Sequence, residues 1–150
     1  MITYQVEDFM DCYEEAIPLL VAHYDEIANF KEVKVFDPDI EKYHQLNNMG
    51  MLRILTARDD GILVGYFVSM VMPSLHYKNL TTALNDILYV DPKYRGTTVA
   101  YRLFKTAIQD LKENTQTQMV QIHMKIEYPF RELLSKIGFE KTEENWEYKI

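Results

Sequence analysis

The sequence predicts one mixed α/β (α+β) domain built on a mostly antiparallel sheet. Its 150 residues, 47% of them hydrophobic, suffice for a single core, and no linker or repeat divides them. The turn signal Asp59-Asp60-Gly61 joins two apolar runs as a hairpin. A strand, loop and amphipathic helix follow over 88–114. The expected order is β-α-α-β-β-β-α-β-α-β-β, with residues 1–150 forming one domain.

The first two elements are a short strand and a long helix. Residues 2–6 alternate apolar and polar side chains, which is typical of a strand. Apolar residues then recur at helical spacing from Phe9 to Ile27. Asp8 is placed to cap this helix, and Pro18 is expected to kink it or split it in two.

A second helix is expected over 37–48. Asp37 stands at the N-cap position and Pro38 at the first helical position, while Gly50 follows the last turn. Strands are predicted over 52–58, 62–72 and 82–90. The near-continuous apolar character of 62–72 indicates a central strand that is covered on both faces.

The C-terminal part predicts two helices and three strands. Val99, Leu103, Phe104, Ala107, Ile108 and Leu111 form an apolar stripe within a helix over 97–114. The remaining elements are a strand over 118–125, a helix over 129–136 ended by a left-handed Gly138, and strands over 139–142 and 146–150.

Charge and cysteine content exclude several classes of protein. The net charge of −7 argues against a nucleic-acid partner, because such proteins neutralise phosphates. No apolar run is long enough for a bilayer, and the N-terminus lacks the pattern of a secretory signal, so no membrane association and a cytoplasmic location are expected. The single cysteine, Cys12, lies on an apolar helix stripe and is expected to be buried.

The segment 88–100, reading LYVDPKYRGTTVA, indicates an anion site. An apolar strand enters a turn at Asp91-Pro92, and a helix begins shortly after Arg95-Gly96. Free N–H groups of the loop and the first helical turn can converge on a phosphate. The alternative is an ordinary strand-to-helix turn.

Two local motifs in this order of elements carry a family resemblance. The spacing R-x-x-T-x-A, formed by Arg95, Thr98 and Ala100, resembles the Q/R-x-x-G-x-G/A loop of the GCN5-related N-acetyltransferases, the GNAT superfamily. The stretch LLSKIGF at 133–139 resembles that family's closing L-Y-x-K-x-G-F pattern. The resemblance covers the whole chain, which is also similar to small GNAT-like proteins of tailed phages.

The resemblance implies a transferase that moves an acetyl group from acetyl-CoA to an amine. It implies a splayed fourth strand that receives the pantetheine arm and a loop that holds the pyrophosphate. The implied cofactor-binding residues are Leu88, Tyr89, Val90, Arg95, Gly96, Thr97, Thr98, Val99 and Ala100. Thr98 replaces a family glycine, so either its hydroxyl assists a phosphate or its side chain closes the site.

The resemblance also suggests catalytic groups. Asp86 stands where family members often carry an acidic residue and could take a proton from the amine through water. Leu134 occupies the position of the family's usual tyrosine acid, so that acid is absent. Tyr128 and Ser135 are the candidate replacements, with water as a further proton source.

Two functions follow. One is catalysis of acetyl transfer, with acetyl-CoA as co-substrate and an amine of a small molecule or a protein as acceptor. The family resemblance also allows a homodimer. The other is a binding module that keeps the fold without the chemistry and contacts another protein. The four histidines have no metal-ligand spacing, so no metal site is expected.

Overall fold

A computed structural model describes all residues, Met1–Ile150. Its centre is a five-stranded sheet in which sequence order is also spatial order. The strands are β1 (Ile2–Glu7), β2 (Leu52–Asp59), β3 (Ile62–Pro73), β4 (Thr81–Val90) and β5 (Met119–Gln121). The first four pair antiparallel, and β5 pairs parallel to β4. The predicted mixed, mostly antiparallel sheet is confirmed.

Helices cover both faces of the sheet. They are α1 (Phe9–Ile27), α2 (Ile40–Asn48), α3 (Val99–Asn114) and α4 (Arg131–Ile137), with one 3-10 turn at Pro92–Tyr94. Side chains of α1 and α2 pack on one face of the sheet, and those of α3 and α4 pack on the other. The sheet therefore has two separate apolar cores. No helix combines the length and the hydropathy that a membrane span needs.

The α3 face contains the most deeply buried side chains. Leu103 is fully buried, and Phe104 meets Phe67 of β3 edge-on with ring centroids 5.3 Å apart. The predicted apolar stripe of α3 is confirmed for five of its six residues, which are buried, whereas Ile108 is half-buried. This stripe fixes α3 across the sheet and so positions the loop that precedes it.

Helix α1 runs without interruption through Pro18, so the expected split does not occur. Proline removes one backbone donor and leaves the carbonyl four residues earlier without its usual partner. Here Pro18 and Glu14 both lie on the exposed side of the helix, where water can satisfy that carbonyl. Burial of Cys12 on the opposite side, as predicted, holds the helix on the sheet.

Asp8 occupies the N-cap position of α1 as predicted, whereas the N-cap predicted for α2, Asp37, is wrong. Asp8 precedes α1, but its side chain makes no capping hydrogen bond; its carbonyl oxygen accepts the Asp11 N–H instead, at 3.1 Å. Helix α2 begins at Ile40 because the Asp39 carboxylate accepts the Lys42 N–H at 3.0 Å. The pattern D-P-D offered two aspartates, and the second is the cap.

The C-terminal strands over 139–142 and 146–150 do not form, and β5 has three residues rather than eight. A strand needs a hydrogen-bonded neighbour as well as alternating side chains. The final segment instead forms ion pairs to the connection between α1 and α2, Lys34 to Glu147 at 2.7 Å and Glu32 to Lys149 at 2.7 Å. Trp146 is 87% exposed there.

Candidate active site

Strand β4 separates from β5 halfway along its length. Only Thr82, Ala83 and Leu84 pair with β5, so residues 85–90 have no strand neighbour on that side. Main-chain groups of this part of β4 are therefore available to a ligand, except the Ile87 and Val90 carbonyl oxygens, which accept from the side chains of Asn85 and Arg95. The predicted contributors Leu88, Tyr89 and Val90 lie here, but their side chains pack into the two cores and only their main chain faces the opening.

A β-bulge interrupts β4 where the strands separate. Val68 of β3 is opposite Ile87 and Ser69 is opposite Asn85, so Asp86 has no partner residue. The Asn85 amide closes the bulge, because its Nδ2 donates to the carbonyl oxygens of Val68 at 3.0 Å and Ile87 at 3.1 Å. Bulges re-aim side chains beside active sites, and this one sets the direction of Asp86.

Asp86 is half-buried and is held by a tyrosine of α2. The Tyr43 hydroxyl donates to Asp86 Oδ2 in a short hydrogen bond, while Oδ1 has no partner within the protein. Burial, and then the adjacent carboxylate, raise the pKa of Tyr43 well above its usual value. The phenol therefore stays protonated and keeps donating, which leaves one carboxylate oxygen free to accept a proton.

The loop after β4 is shaped by local hydrogen bonds. The Asp91 carboxylate accepts the Lys93 N–H at 2.9 Å at the start of the 3-10 turn. Gly96 has φ +74°, a conformation that favours glycine. Thr97 Oγ1 donates to the Tyr94 carbonyl at 2.5 Å and accepts the Val99 N–H at 3.2 Å.

Five amides at the start of α3 have no acceptor within the protein. They belong to Gly96, Thr97, Thr98, Ala100 and Tyr101. The N–H of Val99 is engaged by Thr97, so that predicted residue contributes no free donor. Free donors together with the positive end of a 16-residue helix form an anion site.

Thr98 lies at the N-cap of α3, which begins two residues later than predicted. Its side chain is exposed and makes no capping hydrogen bond. Because no other side chain holds the hydroxyl, it is available to an incoming oxygen.

The Arg95 side chain ties the loop to α1. Its Nε donates to the Val90 carbonyl at 2.8 Å, and its two Nη atoms reach the Glu26 carboxylate at 2.7 and 2.8 Å. The guanidinium also lies over the Tyr89 ring, 5.1 Å from its centroid. Its hydrogen bond lowers the pKa of Glu26. Arg95 thus positions the loop, and its charge is balanced within the protein.

A buried histidine of α1 packs beneath this loop. His23 Nδ1 is 2.9 Å from the Tyr66 hydroxyl, and its ring stacks on Tyr89 with centroids 4.9 Å apart. Burial lowers the pKa of His23 to about 4, and it also raises that of Tyr66. Both groups are therefore neutral near pH 7 and serve packing.

The candidate proton donors lie on and before α4. Leu134 packs against the α3 core. Tyr128 is 46% exposed and Ser135 is also exposed, and neither hydroxyl bonds to a protein group. Their role as acids stays a prediction. The structure contains no group of three or more His, Cys, Asp or Glu that could hold a metal ion.

Sequence analysis identified neither the hydrogen bond of Tyr43 to Asp86 nor the ion pair of Glu26 with Arg95. Tyr43 shares the buried side of α2 with Ile40 and Leu46, a spacing that indicates burial but not a bond 43 residues away. Glu26 is one of several acidic residues on α1, and the sequence does not distinguish it from Asp25. Its ion pair with Arg95 depends on how α1 crosses the sheet.

A splayed antiparallel sheet beside an amide-lined loop defines the class: this is the acetyltransferase fold. The chain belongs to the acetyltransferase (GNAT) domain family, which matches residues 19–149. The family resemblance drawn from the motifs is confirmed. A search of curated proteins found no match.

Solved structures agree on the fold. Ribosomal-protein-alanine N-acetyltransferase from Brucella melitensis biovar Abortus 2308 superposes with a TM-score of 0.70 at 19% identity, covering 100% of this chain and 99% of that one. The aminoglycoside acetyltransferase meta-AAC0020 from an uncultured soil sample, in complex with sisomicin, gives 0.76 at 17% identity over 99% and 96%. A "predicted acetyltransferase with acetyl-CoA" from Clostridium acetobutylicum gives 0.72 at 16% identity over 99% and 96%.

Proposed function

We propose that this protein is an N-acetyltransferase that moves an acetyl group from acetyl-CoA to an amine by direct attack. The observation that carries the proposal is the set of five free amides at the start of α3, next to the open edge of β4. A family shared with acetyltransferases supports it. The phage resemblance, the cytoplasmic location and the homodimer stay predictions.

The two sites fit the two ends of the co-substrate. The amides from Gly96 to Tyr101 would hold the pyrophosphate, with the dipole of α3 favouring its negative charge. The main-chain groups over 85–90 that have no partner would bond the pantetheine amides as an added strand does. The exposed Thr98 hydroxyl can donate to a phosphate oxygen, which favours binding over closure of the site.

Asp86 is the base in this proposal. Its free Oδ1 takes the proton of the attacking amine, directly or through one water, while Tyr43 fixes Oδ2. Acetyl-CoA supplies an activated thioester, so the new N–C bond forms as the C–S bond breaks. The departing thiolate, of pKa ~8.5 as a free thiol, takes a proton from water, Tyr128 or Ser135.

The acceptor is an amine of a small molecule or of a protein. Solved structures of the same fold include an aminoglycoside acetyltransferase and a ribosomal-protein-alanine N-acetyltransferase, so the fold accommodates both kinds.

Calorimetric titration with acetyl-CoA tests the first half of the proposal. Thr98→Pro removes one free amide at φ −80°, an angle that proline accepts, and we expect about tenfold weaker binding. Thr98→Gly keeps the amide and removes only the hydroxyl, so we expect a smaller loss of affinity than in Thr98→Pro. Absence of heat with the parent protein at millimolar acetyl-CoA would remove the proposal.

The rate of acetyl transfer tests the second half. Asp86→Asn keeps the size and hydrogen bonding of the side chain but removes the base, so we expect kcat/KM to fall about 100-fold or more. Acetyl-CoA affinity should not change. An unchanged rate in Asp86→Asn would assign the proton transfer to another group.

The second candidate is a binding module without catalysis. It is favoured by Leu134, which packs in the α3 core where the family carries its acid. This reading predicts acetyl-CoA binding with no turnover of any amine, and detection of acetyl transfer at enzyme-like rates excludes it.

A further inference from the structure

A cavity of about 130 Å³ lies between α1, α2 and the sheet. Helix α1 contributes Phe9, Cys12 and Ala16, and α2 contributes Tyr43. Strands β2, β3 and β4 form the floor, and Phe36 and Pro38 of the connecting segment also line the cavity. Twelve of its fourteen lining residues are hydrophobic, so it suits an apolar group.

Three polar side chains along this wall already have partners, and the Tyr13 hydroxyl, which also lines the cavity, has none. The Thr56 hydroxyl donates to Glu7, and the Tyr66 hydroxyl is bonded to His23. The Cys12 thiol donates to the Asp8 carbonyl at 3.4 Å, and burial raises its pKa to about 11. A ligand in the cavity therefore meets no charged lining side chain, and the Tyr13 hydroxyl is the one side-chain hydroxyl of the lining that is free to bond it.

Asp86 does not itself line the cavity, but two of the lining residues adjoin it. Ile87 lines it and follows Asp86 in β4, while Tyr43 lines it and donates its hydroxyl to Asp86 Oδ2. The carboxylates of Glu7 and Glu15 also contact lining residues, but both pair with Arg58, whereas Asp86 Oδ1 has no partner in the protein. An ammonium group at Asp86 would place its hydrocarbon substituent in the cavity.

We propose that the acceptor is a primary amine carrying one aromatic ring or a branched aliphatic group of similar size, bound with that group in the cavity. The inference rests on the proposed acetyl transfer, because it identifies the cavity as the acceptor pocket of the same site. An apolar cavity of about 150 Å³ takes up benzene, so the observed volume matches one ring.

The same chemistry disfavours strongly polar acceptors. An aminoglycoside or a polyamine carries several groups that need hydrogen bonds, and each one buried without a partner costs affinity. The cavity has no second carboxylate to match a second ammonium.

Binding without acetyl-CoA tests the assignment directly. The probes are 2-phenylethylamine, its neutral analogue 2-phenylethanol, and spermidine, each titrated calorimetrically into the full chain. We expect the amine to bind more tightly than the alcohol, since only the amine pairs with Asp86, and spermidine to bind most weakly. Asp86→Asn should weaken the binding of 2-phenylethylamine and leave the affinity for 2-phenylethanol unchanged.

Two matched variants of α1 localise the site. Ala16→Leu fills the cavity, and we expect 2-phenylethylamine to bind about tenfold more weakly or worse. Ala22→Leu adds the same atoms on the exposed side of the same helix and should leave the affinity unchanged. If thermal melting shows that Ala16→Leu is unfolded, Leu20→Phe replaces it in the test. This substitution narrows the same cavity from the next turn of α1.

The outcomes separate the two proposals. If 2-phenylethylamine does not bind, or binds equally to parent and Ala16→Leu proteins, the cavity is not the acceptor pocket even when acetyl-CoA binds and other amines are acetylated. If the amine binds in the expected pattern but acetyl-CoA does not bind, the acetyl-transfer proposal fails. The assignment of the cavity as the acceptor pocket then fails with it. Acetylation of spermidine in preference to 2-phenylethylamine also overturns the inference.

Discussion

The two faces of the sheet are packed differently, although both are apolar. Under α3, Leu103, Phe104 and Phe67 are almost completely buried and meet in direct contact. Under α1 and α2, the aromatic side chains surround a cavity and bond to polar groups of the site. One face therefore supplies most of the packing stability, and the other keeps space for a ligand.

Truncating one leucine on each face should give the largest contrast. Leu103→Ala leaves a void in a filled core, so we expect a loss of about 3 kcal/mol or more in the free energy of unfolding. Leu20→Ala removes a partly buried side chain that already borders a cavity, and we expect about 1 kcal/mol. Urea unfolding of the two variants measures both values; equal losses would show that the faces are packed alike.

The pH dependence of stability should report the buried histidine of the α1 face. His23 titrates at 6.5 in the unfolded chain and at about 4 in the folded protein, so the unfolded state binds more protons between these values. The free energy of unfolding is therefore unaffected by His23 titration above about pH 6.5, and it decreases as the pH falls from 6.5 towards 4. We expect about 2 kcal/mol less stability at pH 5 than at pH 7.5.

His23→Gln removes the titrating group and serves as the control for that measurement. The stability of this variant should change little between pH 7.5 and 5. Carboxylates whose pKa values the fold shifts, such as Glu26, have them lowered and therefore titrate below this range. A slope as steep as that of the parent protein would assign the effect to another group.

The smallest effect is expected at the link between the α1 face and the loop. Glu26→Gln weakens the ion pair with Arg95, whose side chain is 41% exposed, so we expect about 0.5 kcal/mol in stability and about twofold weaker acetyl-CoA binding. Asp25→Asn, next in sequence and 68% exposed, is the matched control. If both variants bind acetyl-CoA like the parent protein, the ion pair does not position the loop.

Sequence patterns predicted the central elements well because those patterns report burial. Helix α3 carries the helical periodicity of one covered face, and strands β2 and β3 are buried almost continuously because both of their faces are covered. The stretch 146–150 alternates apolar and polar residues but has no strand beside it, so its side chains stay exposed. Alternation alone does not provide a neighbour.

The site was predictable only where it is local in sequence. The loop residues Arg95 to Ala100 and the following Tyr101 occupy seven consecutive positions. The motif and the start of the helix could therefore be recognised directly in the sequence. Tyr43 and Asp86 are joined across 43 residues, and Glu26 and Arg95 across 69. Such pairs depend on the crossing of helices over the sheet, which periodicity does not specify.

Gly65 of β3 is opposite Val90, where β4 ends. A Cβ atom at position 65 would lie 3.0 Å from the Tyr89 carbonyl oxygen and 3.2 Å from Val90 Cγ2. Any larger residue would push the hairpin away from the strand that leads into the loop. Even alanine there requires the end of β4 to shift by a few tenths of an ångström, so in a saturation mutagenesis screen we expect larger residues at this position to be poorly tolerated, although Gly65 contributes no atom to the reaction.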